Sequence, residues 1–516
     1  MTMDGQDEPT QPGGYGRFIR SSVAGMLIPG VGLIAAGRRR VGFVVLVLFL
    51  AGVAVVVGYA LSVDQAELMR VASVSAIARR VGFALVGVAV VWITIGVVGF
   101  FLLKPSGLSG RRRFAAGVAI VAAAAVVAAP LALGAQRAFT HQRLIESVFS
   151  AGDDEYRDTI PEGVTETDPW AGESRVNVLL LGSDGAPERD GTRTDTIMVA
   201  SVDVDAGDTV LFSLPRNLQH AQMPEGELRE AYPEGYRGPE EEAYYWLSSV
   251  YRNLPQEFPD LFEDYRAPGA EAMKLVVGAV LDLKIDYYAM VNLAGFEGIV
   301  DALGGVNMDV PYDIPIGTEE VNGYCTEPQA WVEAGKNKKL NGYEALWVAR
   351  ARCGPGEVSG DYSRMRRQRC VLAAIADKAD PQTVLINYQK IAAATTDSIT
   401  TDIPQDRLPA FVELGRRIKD GELRSLPFTN EIVAYHAPDY ELIHRLVIEA
   451  IEEPSSTPSP SSSPTTSVAE DESSTGDDQP DEALDGKTKA EADEAADDDT
   501  DDDGEGISAQ NVDAVC

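Results

Sequence analysis

The chain has 516 residues, enough for more than one folded unit, and its formal net charge of −35 reflects 79 acidic against 44 basic residues. This acidity argues against a nucleic-acid partner. The cysteines form no Cys-x-x-Cys pair and no cluster with histidine, which argues against a zinc site; they are Cys325, Cys353, Cys370 and Cys516.

Apolar stretches dominate the first 134 residues. For residues 1–40 the sequence predicts a cytoplasmic N-terminus. It contains a short apolar segment, Val23–Gly37, which is interrupted by Pro29 and Gly30. This segment is either interfacial or re-entrant, or else a true span. Three further stretches have the roughly 20 apolar residues that a membrane span needs; within residues 41–134 they are Val41–Ser62, Val81–Leu103 and Phe114–Gly134.

Basic residues predict the orientation of these spans, because such residues collect on the cytoplasmic side. One basic cluster, Arg38–Arg40, precedes the first span, and another, Arg111–Arg113, lies just before the third. Three spans place both clusters inside and everything after Gly134 outside the cell. No ionisable residue lies within the spans, so we interpret them as an anchor for an extracytoplasmic domain.

Over residues 135–174 the sequence predicts a helix that leaves the membrane (the exit helix), followed by a linker. Over residues 175–453 it predicts a folded domain. Its first strands are Val176–Gly182, Thr196–Asp203 and Thr209–Pro215. Later strands alternate with helices such as Ala270–Leu283, which predicts an α/β fold with a mixed or parallel sheet covered by helices.

Near the end of the domain, the sequence predicts a strand at about Glu431–His436. Residues 454–516 are rich in Pro, Ser and Thr and then in acids, with 19 acidic residues against two lysines between Glu470 and Asp513. Such a segment cannot bury enough apolar surface to fold, which predicts a disordered tail. In the domain, one disulfide is expected among Cys325, Cys353 and Cys370, with three possible pairings and one thiol left over.

Charged residues collect at strand ends and loops of the predicted sheet. Arginine forks bind phosphate oxygens bidentately, so the arginines favour a pyrophosphate ligand; they are Arg193, Arg216, Arg350, Arg352 and Arg364. Asp184 and Asp195 end neighbouring strands, and their hard oxygens suit Mg²⁺ or Mn²⁺. The alternative is that these residues form only structural ion pairs.

Five blocks of the sequence resemble, in order and spacing, the LytR-CpsA-Psr proteins. The resemblance covers Val176–Lys378, and its blocks are GSDGAPERDGTRTDTIMVASVD, VLFSLPRN, NLAGFEGIVDALGGV, LNGYEALWVARAR and GDYSRMRRQRCVLAAI. It implies an α/β/α sandwich with a central mixed sheet, in a membrane-anchored, extracytoplasmic phosphotransferase. Such an enzyme moves a glycopolymer from a polyprenyl pyrophosphate carrier in the membrane onto peptidoglycan, with Mg²⁺ or Mn²⁺.

The resemblance also implies roles for individual residues. Asp184 and Asp195 would hold the metal, with Arg193 beside it. Asp361 would complete the pocket. Six arginines and one glutamine would bind the pyrophosphate: Arg193, Arg216, Arg350, Arg352, Arg364, Arg367 and Gln368. The central sheet and the helix Ala270–Leu283 would enclose the polyprenyl chain.

The sequence departs from the family's pattern at Asn217, where the Pro-Arg motif is usually followed by Asp. For the general base, Asp195 or Asp361 is a better candidate than His220, a lone histidine in a loop. Two other functions stay open: a hydrolase that splits the lipid pyrophosphate with water, and a non-catalytic envelope protein that binds it.

Overall fold

The computed structural model describes residues 12–63, 71, 74–105, 108–149, 165, 168–184, 194–321, 324–354, 356–379, 390–391, 394, 398–453, 508–512 and 516. Most of the predicted linker and tail, and Arg193, lie outside the described residues.

The N-terminal part is a helical bundle. It contains the helices α1 (Pro12–Leu27), α2 (Val31–Ala35), α3 (Arg39–Ser62), α4 (Ser75–Leu103) and α5 (Gly110–Val148). Three of them are long and apolar enough to cross a membrane, within Arg39–Tyr59, Ser75–Leu103 and Gly110–Glu146.

The predicted segment 23–37 is a broken helix in the structure. The break at Pro29 and Gly30 separates α1 from α2, and Gly30 has a φ of 94°, which favours glycine. Gly25 and Gly32 then touch across the turn, since a Cβ on Gly25 would lie 2.5 Å from the Gly32 Cα. Trp92 of α4 donates from Nε1 to the Met26 carbonyl at 2.9 Å. The turn is thus packed against the bundle.

The C-terminal part is built on one sheet of seven strands. Its strands in chain order are β1 (Arg175–Ser183), β2 (Thr194–Asp203), β3 (Thr209–Leu214), β4 (Tyr287–Asn292), β11 (Ile399–Thr401), β12 (Leu423–Pro427) and β13 (Gln510–Asn511). Six short strands form two-stranded pairs beside it: β5 (Val306–Val310), β6 (Ile314–Ile316), β7 (Glu320–Val321), β8 (Tyr324–Cys325), β9 (Ala330–Val332) and β10 (Gly335–Leu340).

Helices connect these strands. They are α6 (Glu227–Ala231), α7 (Leu247–Glu257), α8 (Pro259–Phe262), α9 (Pro268–Leu281), α10 (Leu293–Ala302), α11 (Gly342–Arg350), α12 (Asp361–Lys378), α13 (Leu408–Asp420) and α14 (Tyr440–Glu452). Asn341 caps α11 through a capping box with Glu344, as expected for Asn before a helix.

The large sheet is mixed, with the order β11-β4-β1-β2-β3-β12-β13. Strand β1 runs parallel to β4 and antiparallel to β2. Strand β12 runs parallel to β3. Helices cover both faces, and the predicted α/β fold with a mixed central sheet is confirmed.

The two faces of the sheet have different coverings. One face carries Leu179, Leu181, Val199 and Phe212, which pack in one core with α7, α9 and α14. We call it the closed face. The opposite face meets α10, α11, α12 and α13, and we call it the cavity face.

Helix α5 ends against the cavity face, at the start of β1. Ile145 is 4% exposed and packs with Trp170, Val176 and Val178. The nine residues of β1 then extend roughly 30 Å toward the other end of the sheet. The bundle and the end of β1 that bears Asp184 therefore lie at opposite ends of this strand.

The predicted strand at Glu431–His436 is wrong. The strand that joins the sheet here is β12, which begins soon after Gly421 and pairs with β3. Residues that follow it form a turn, in which the Val433 amide donates to the Thr429 carbonyl at 2.8 Å. This turn buries Val433 in the core of the closed face, which explains the apolar pattern that suggested a strand.

The end of the predicted disordered tail is ordered. Strand β13 pairs with β12, and Val512 is 2% exposed. Two disulfides form, Cys325–Cys353 and Cys370–Cys516. The expectation of one bond and a leftover thiol is therefore corrected, because Cys370 bonds to a cysteine that lies 146 residues away in sequence.

Candidate functional site

A β-bulge places Asp195 at the site. Gly182 of β1 pairs with Thr196 of β2, but Ser183 pairs with Thr194, so Asp195 has no partner in the ladder. In regular alternation Asp195 and Thr196 would point to opposite faces of the sheet. The bulge lets both residues line the same cavity.

Arg216 joins Asp195 at the end of β3. The antiparallel register pairs Ile197 with Leu214, and continuing it two residues outward sets Asp195 opposite Arg216. The Arg216 guanidinium forms a close ion pair with the Asp195 carboxylate. Its Nε also lies 3.5 Å from Oδ2 of Asp361.

Asp361 connects two arginines. It is the first residue of α12, and its Oδ2 accepts a hydrogen bond from Arg364 Nη2 at 3.0 Å. Arg364 also donates to the Asp195 carbonyl at 3.2 Å. We call the four residues Asp195, Arg216, Asp361 and Arg364 the charged cluster.

The charges in this cluster control the ionisation of its members. Burial alone would raise the pKa of Asp195, but Arg216 and Arg364 outweigh it, and the pKa lies below its usual value. Arg364 is 2% exposed. Burial lowers the pKa of Arg364 to about 10, although Asp361 opposes this shift. At neutral pH Asp195 is thus a carboxylate and Arg364 a cation.

Two buried N–H groups of the cluster make no hydrogen bond to the described residues, although one of them, Nε of Arg216, is in ion-pair contact with Asp361 at 3.5 Å. The Nε atoms of Arg216 and Arg364 are buried and make no hydrogen bond within the part of the chain that the structure describes. Leaving such a donor unpaired costs about 1–3 kcal/mol. Of the two arginines, Arg364 lines the cavity that Asp195 also lines, which places its guanidinium beside a ligand bound there.

Two more arginines lie beside the cluster and are exposed. Arg350 ends α11 and Arg352 follows it, with the buried Ala351 between them, and both line the cavity. Arg350 lies over the ring of Trp347, with Cζ 4.8 Å from the ring centroid. Neither arginine has an ion-pair partner among the described residues. Their cationic groups are therefore available to a ligand.

The cavity holds about 780 Å³. Its charged end contains Asp184, Asp195, Arg350, Arg352 and Arg364. The remainder is largely apolar and lies between the cavity face and α10–α12, with walls that include Leu180, Met198, Ala289, Val291, Phe296, Ile299, Leu346, Val371, Leu372 and Ile375. Arg364, Gln368, Val371 and Ile375 share one side of α12, as a helical spacing of three and four residues requires. A ligand with an anionic head and an apolar chain fits this shape.

The structure does not bring the predicted helix Ala270–Leu283 to this cavity. That helix, α9, packs on the closed face with Leu179 and Leu181. The sequence shows that the helix has an apolar side but not which face of the sheet it covers. The apolar walls come from α10, α11 and α12 instead.

Arg367 also lies outside the cavity lining. Its side chain donates to the carbonyls of Val348, at 2.8 Å, Val358, at 3.3 Å, and Ala351. It is 4% exposed. The structure therefore places Arg367 as a link between α12 and the end of α11, where it supports the segment that carries Arg350 and Arg352.

The remaining predicted residues differ in their position relative to the cavity. Gln368 lines the cavity, whereas His220, with a φ of 51°, does not. Arg193 lies outside the described residues, and its role stays a prediction.

The carboxylates at the charged end suit a divalent cation by their chemistry. Asp184 and Asp195 both line the cavity. Among the described residues no group of three or more His, Cys, Asp or Glu could hold a metal ion. A hard cation bound here would therefore take further oxygen ligands from water and from a phosphate, as Mg²⁺ commonly does.

Sequence reasoning missed several residues of the cavity. Thr318 and Glu319 line it, and the Thr318 hydroxyl donates to the Cys353 carbonyl at 3.1 Å. They lie in a stretch without periodicity, so no local signal marks them. The disulfide Cys325–Cys353 joins this stretch to the arginine-bearing segment.

Comparisons with known proteins identify the family of the chain. A family model described as the LytR_cpsA_psr family matches residues 144–439. The biofilm regulatory protein A of Streptococcus mutans is 31% identical over 181 residues, which are 35% of this chain and 43% of that protein, less than two thirds of its length. A polyisoprenyl-teichoic acid–peptidoglycan teichoic acid transferase, TagU, from Enterococcus faecalis is 27% identical over 282 residues, which are 52% of this chain and 77% of that protein.

Solved structures are also similar, at low identity. The LytR-Csp2A-Psr enzyme from Actinomyces oris is 17% identical, with a TM-score of 0.36, over 54% of this chain and 89% of that one. The B. subtilis protein TagV is 20% identical, with a TM-score of 0.37, over 54% of this chain and 96% of that one.

Proposed function

The chain belongs to the LytR-CpsA-Psr family, and we propose that it is a membrane-anchored, metal-dependent phosphotransferase that moves a cell-wall glycopolymer from a polyprenyl pyrophosphate carrier onto peptidoglycan. One observation carries this proposal: two exposed arginines without ion-pair partners among the described residues, Arg350 and Arg352, stand beside the charged cluster at the end of a largely apolar cavity. The name of the Enterococcus relative, a transferase of teichoic acid to peptidoglycan, supports the same class of reaction.

The donor would bind in two parts. The polyprenyl chain would fill the apolar part of the cavity, where burial of its methylenes is favourable by about 0.8 kcal/mol each. The pyrophosphate would lie between the exposed Arg350 and Arg352 and the buried charged cluster. Arginine forks can bind its oxygens in pairs, and they keep their charge throughout the reaction.

The transfer step needs positioning and charge stabilisation. An oxygen of an acceptor hydroxyl attacks the phosphorus that bears the glycopolymer, and the bond from this phosphorus to the bridging oxygen breaks. Polyprenyl phosphate leaves with that oxygen, while the acceptor's proton passes to Asp361, because Asp195 is assigned to the metal and its pKa is lowered. Arg216 and Arg364 stabilise the charge that develops on the phosphates.

Mg²⁺ or Mn²⁺ would be held by Asp184 and Asp195, and when bound would neutralise charge on the pyrophosphate. The lowered pKa of Asp195 keeps its carboxylate ionised for this role.

We also propose that the bundle crosses the membrane three times, with the domain outside the cell. The three long apolar helices and the basic clusters at Arg38–Arg40 and Arg111–Arg113 support this topology.

The test uses the full chain in detergent with a polyprenyl pyrophosphate-linked glycan and Mg²⁺. We expect polyprenyl phosphate to be released and the glycan to become attached to added peptidoglycan. Both products should be lost in Asp195→Asn and on chelation of the metal. The control is Asp205→Asn, which changes a carboxylate that is 97% exposed in a turn, and should keep the wild-type rate.

The other outcomes each contradict the proposal. If polyprenyl phosphate is released at the same rate with and without peptidoglycan, and the glycan stays free, the protein is a hydrolase. Tight donor binding without release would show a binding protein.

A further inference from the structure

Three aromatic side chains are exposed beside the arginine-bearing segment. Tyr324 is 80% exposed, Trp331 46% and Tyr343 44%. Among the described Tyr, Trp and Phe residues from Arg175 onward, these are the side chains that the fold leaves most open to solvent. Exposed rings add little to folding, and Tyr and Trp are enriched at recognition surfaces because each combines an apolar ring with a polar group.

The three rings belong to elements that are joined to the cavity. Tyr343 packs edge-on against Trp347, with ring centroids 6.4 Å apart, and Trp347 lies under Arg350. Tyr324 precedes Cys325, whose disulfide partner Cys353 lines the cavity next to Arg352.

Trp331 is held by a neighbouring pair of strands. It lies opposite Pro315 in the pairing of β6 with β9, and β9 contacts α11. The hairpin that carries Tyr324 is closed by a hydrogen bond, in which the Glu319 amide donates to the Thr326 hydroxyl at 2.8 Å. The backbone that carries each ring is thus fixed by strands, a helix or a disulfide.

We propose that Tyr324, Trp331 and Tyr343 form a binding platform for the glycan strand of the acceptor. The proposal rests on the function proposed above, in which the donor's lipid fills the cavity and its pyrophosphate meets the arginines. An acceptor hydroxyl must then approach the arginines from outside the cavity, and the elements that carry the rings adjoin the arginine-bearing segment. Sugar rings offer flat C–H faces that pack on aromatic rings, while tyrosine hydroxyls and the tryptophan N–H can bond sugar hydroxyls.

The surroundings favour a glycan over a membrane or a protein partner. Exposed polar residues, Thr326, Glu327 and Gln329, lie between Tyr324 and Trp331 in the chain, whereas the core of a protein–protein interface is a more continuous apolar surface. A membrane is disfavoured by position, because α5 meets the sheet at the start of β1, and Arg350 and Arg352 share a cavity with Asp184 at its other end.

The experiment measures equilibrium binding of the detergent-solubilised full chain to soluble, undecorated peptidoglycan fragments, with no donor present. Tyr324→Ala and Trp331→Ala should each weaken binding about tenfold, which is typical for loss of an aromatic anchor. Trp331→Phe, which keeps a ring, should recover most of it. Leu261→Ala and Ile448→Ala serve as matched controls, because these residues are 37% and 50% exposed on α8 and α14, away from the cavity face.

The same variants should bind polyprenyl pyrophosphate as the wild type does. Absence of glycan binding by the wild type, or equal binding by all variants, would overturn the platform whatever the turnover. Weakened glycan binding in a protein that releases no polyprenyl phosphate would keep the platform while the proposed reaction failed.

Discussion

Nε of Arg216 lies 3.5 Å from Oδ2 of Asp361, although the two residues are 145 positions apart in sequence. One follows a strand of the sheet and the other begins a helix that packs on it. The same Asp361 oxygen accepts from Arg364. A single carboxylate therefore sets the positions of two arginines.

Asp361→Asn should reduce both activity and stability. The amide keeps the size of the side chain but removes the charge that Arg216 and Arg364 share. We expect turnover to fall by about 100-fold or more and the free energy of unfolding by about 1–3 kcal/mol. Polyprenyl phosphate release and denaturant unfolding measure the two effects. Glu413→Gln, which weakens partly exposed ion pairs with Arg416 and Arg417 on α13, is the control. A wild-type rate in Asp361→Asn would show that the arginines need no shared carboxylate.

Arg350→Ala should lose activity without losing stability. The side chain is exposed, and exposed substitutions usually change stability by less than about 0.5 kcal/mol. Arg350→Lys should restore little turnover, since a lysine ammonium cannot bind two phosphate oxygens as a fork does. Lys339→Ala removes another exposed cation, on β10, as a control. Full activity of Arg350→Lys would mean that only charge, and not the fork, is needed.

Arg367→Lys should lose stability through lost hydrogen bonds. A single ammonium cannot reach the carbonyls of Val348, Ala351 and Val358 together, and the expected cost is about 1–3 kcal/mol. Denaturant unfolding measures this loss. If the variant instead keeps its stability and raises the KM for the donor, Arg367 contacts the substrate as the family resemblance implied.

The stability that Asp195 provides should depend on pH. Its folded pKa is depressed, so the ionised carboxylate stabilises the fold at all pH values above its unfolded pKa of about 3.9. This contribution is lost as the pH falls through the lower, folded pKa. The difference in Tm between the wild type and Asp195→Asn should therefore be constant from neutral pH to about 5 and shrink below about 4. A difference that grows on acidification would contradict the assigned direction of the shift.

Much of the fold could be predicted because its signals are local. The runs around β1, β2 and β3 are apolar and rich in β-branched residues, and Asn341 marks the start of α11. The arginine side chains of Arg350 and Arg352 likewise marked these residues as candidates for binding phosphate. These features depend on neighbours in sequence, which a single chain displays directly.

The rest depends on contacts between distant residues. The bulge that turns Asp195 toward the cavity is set by pairing with β1, and the face covered by α9 is set by the packing of the whole domain. Likewise, β13 has two residues and no pattern, and it is held by β12 and by the Cys370–Cys516 bond. The buried bonds of Arg367 could not be distinguished from phosphate contacts by charge alone.

The most direct test of the account is a structure of the full chain with Mg²⁺ and a non-cleavable polyprenyl pyrophosphate. We predict that the phosphates contact Arg350, Arg352 and the charged cluster, that the metal contacts Asp184 and Asp195, and that the lipid lies between the cavity face and α10–α12. A lipid bound on the closed face against α9, or phosphates bound away from Arg216, would contradict it.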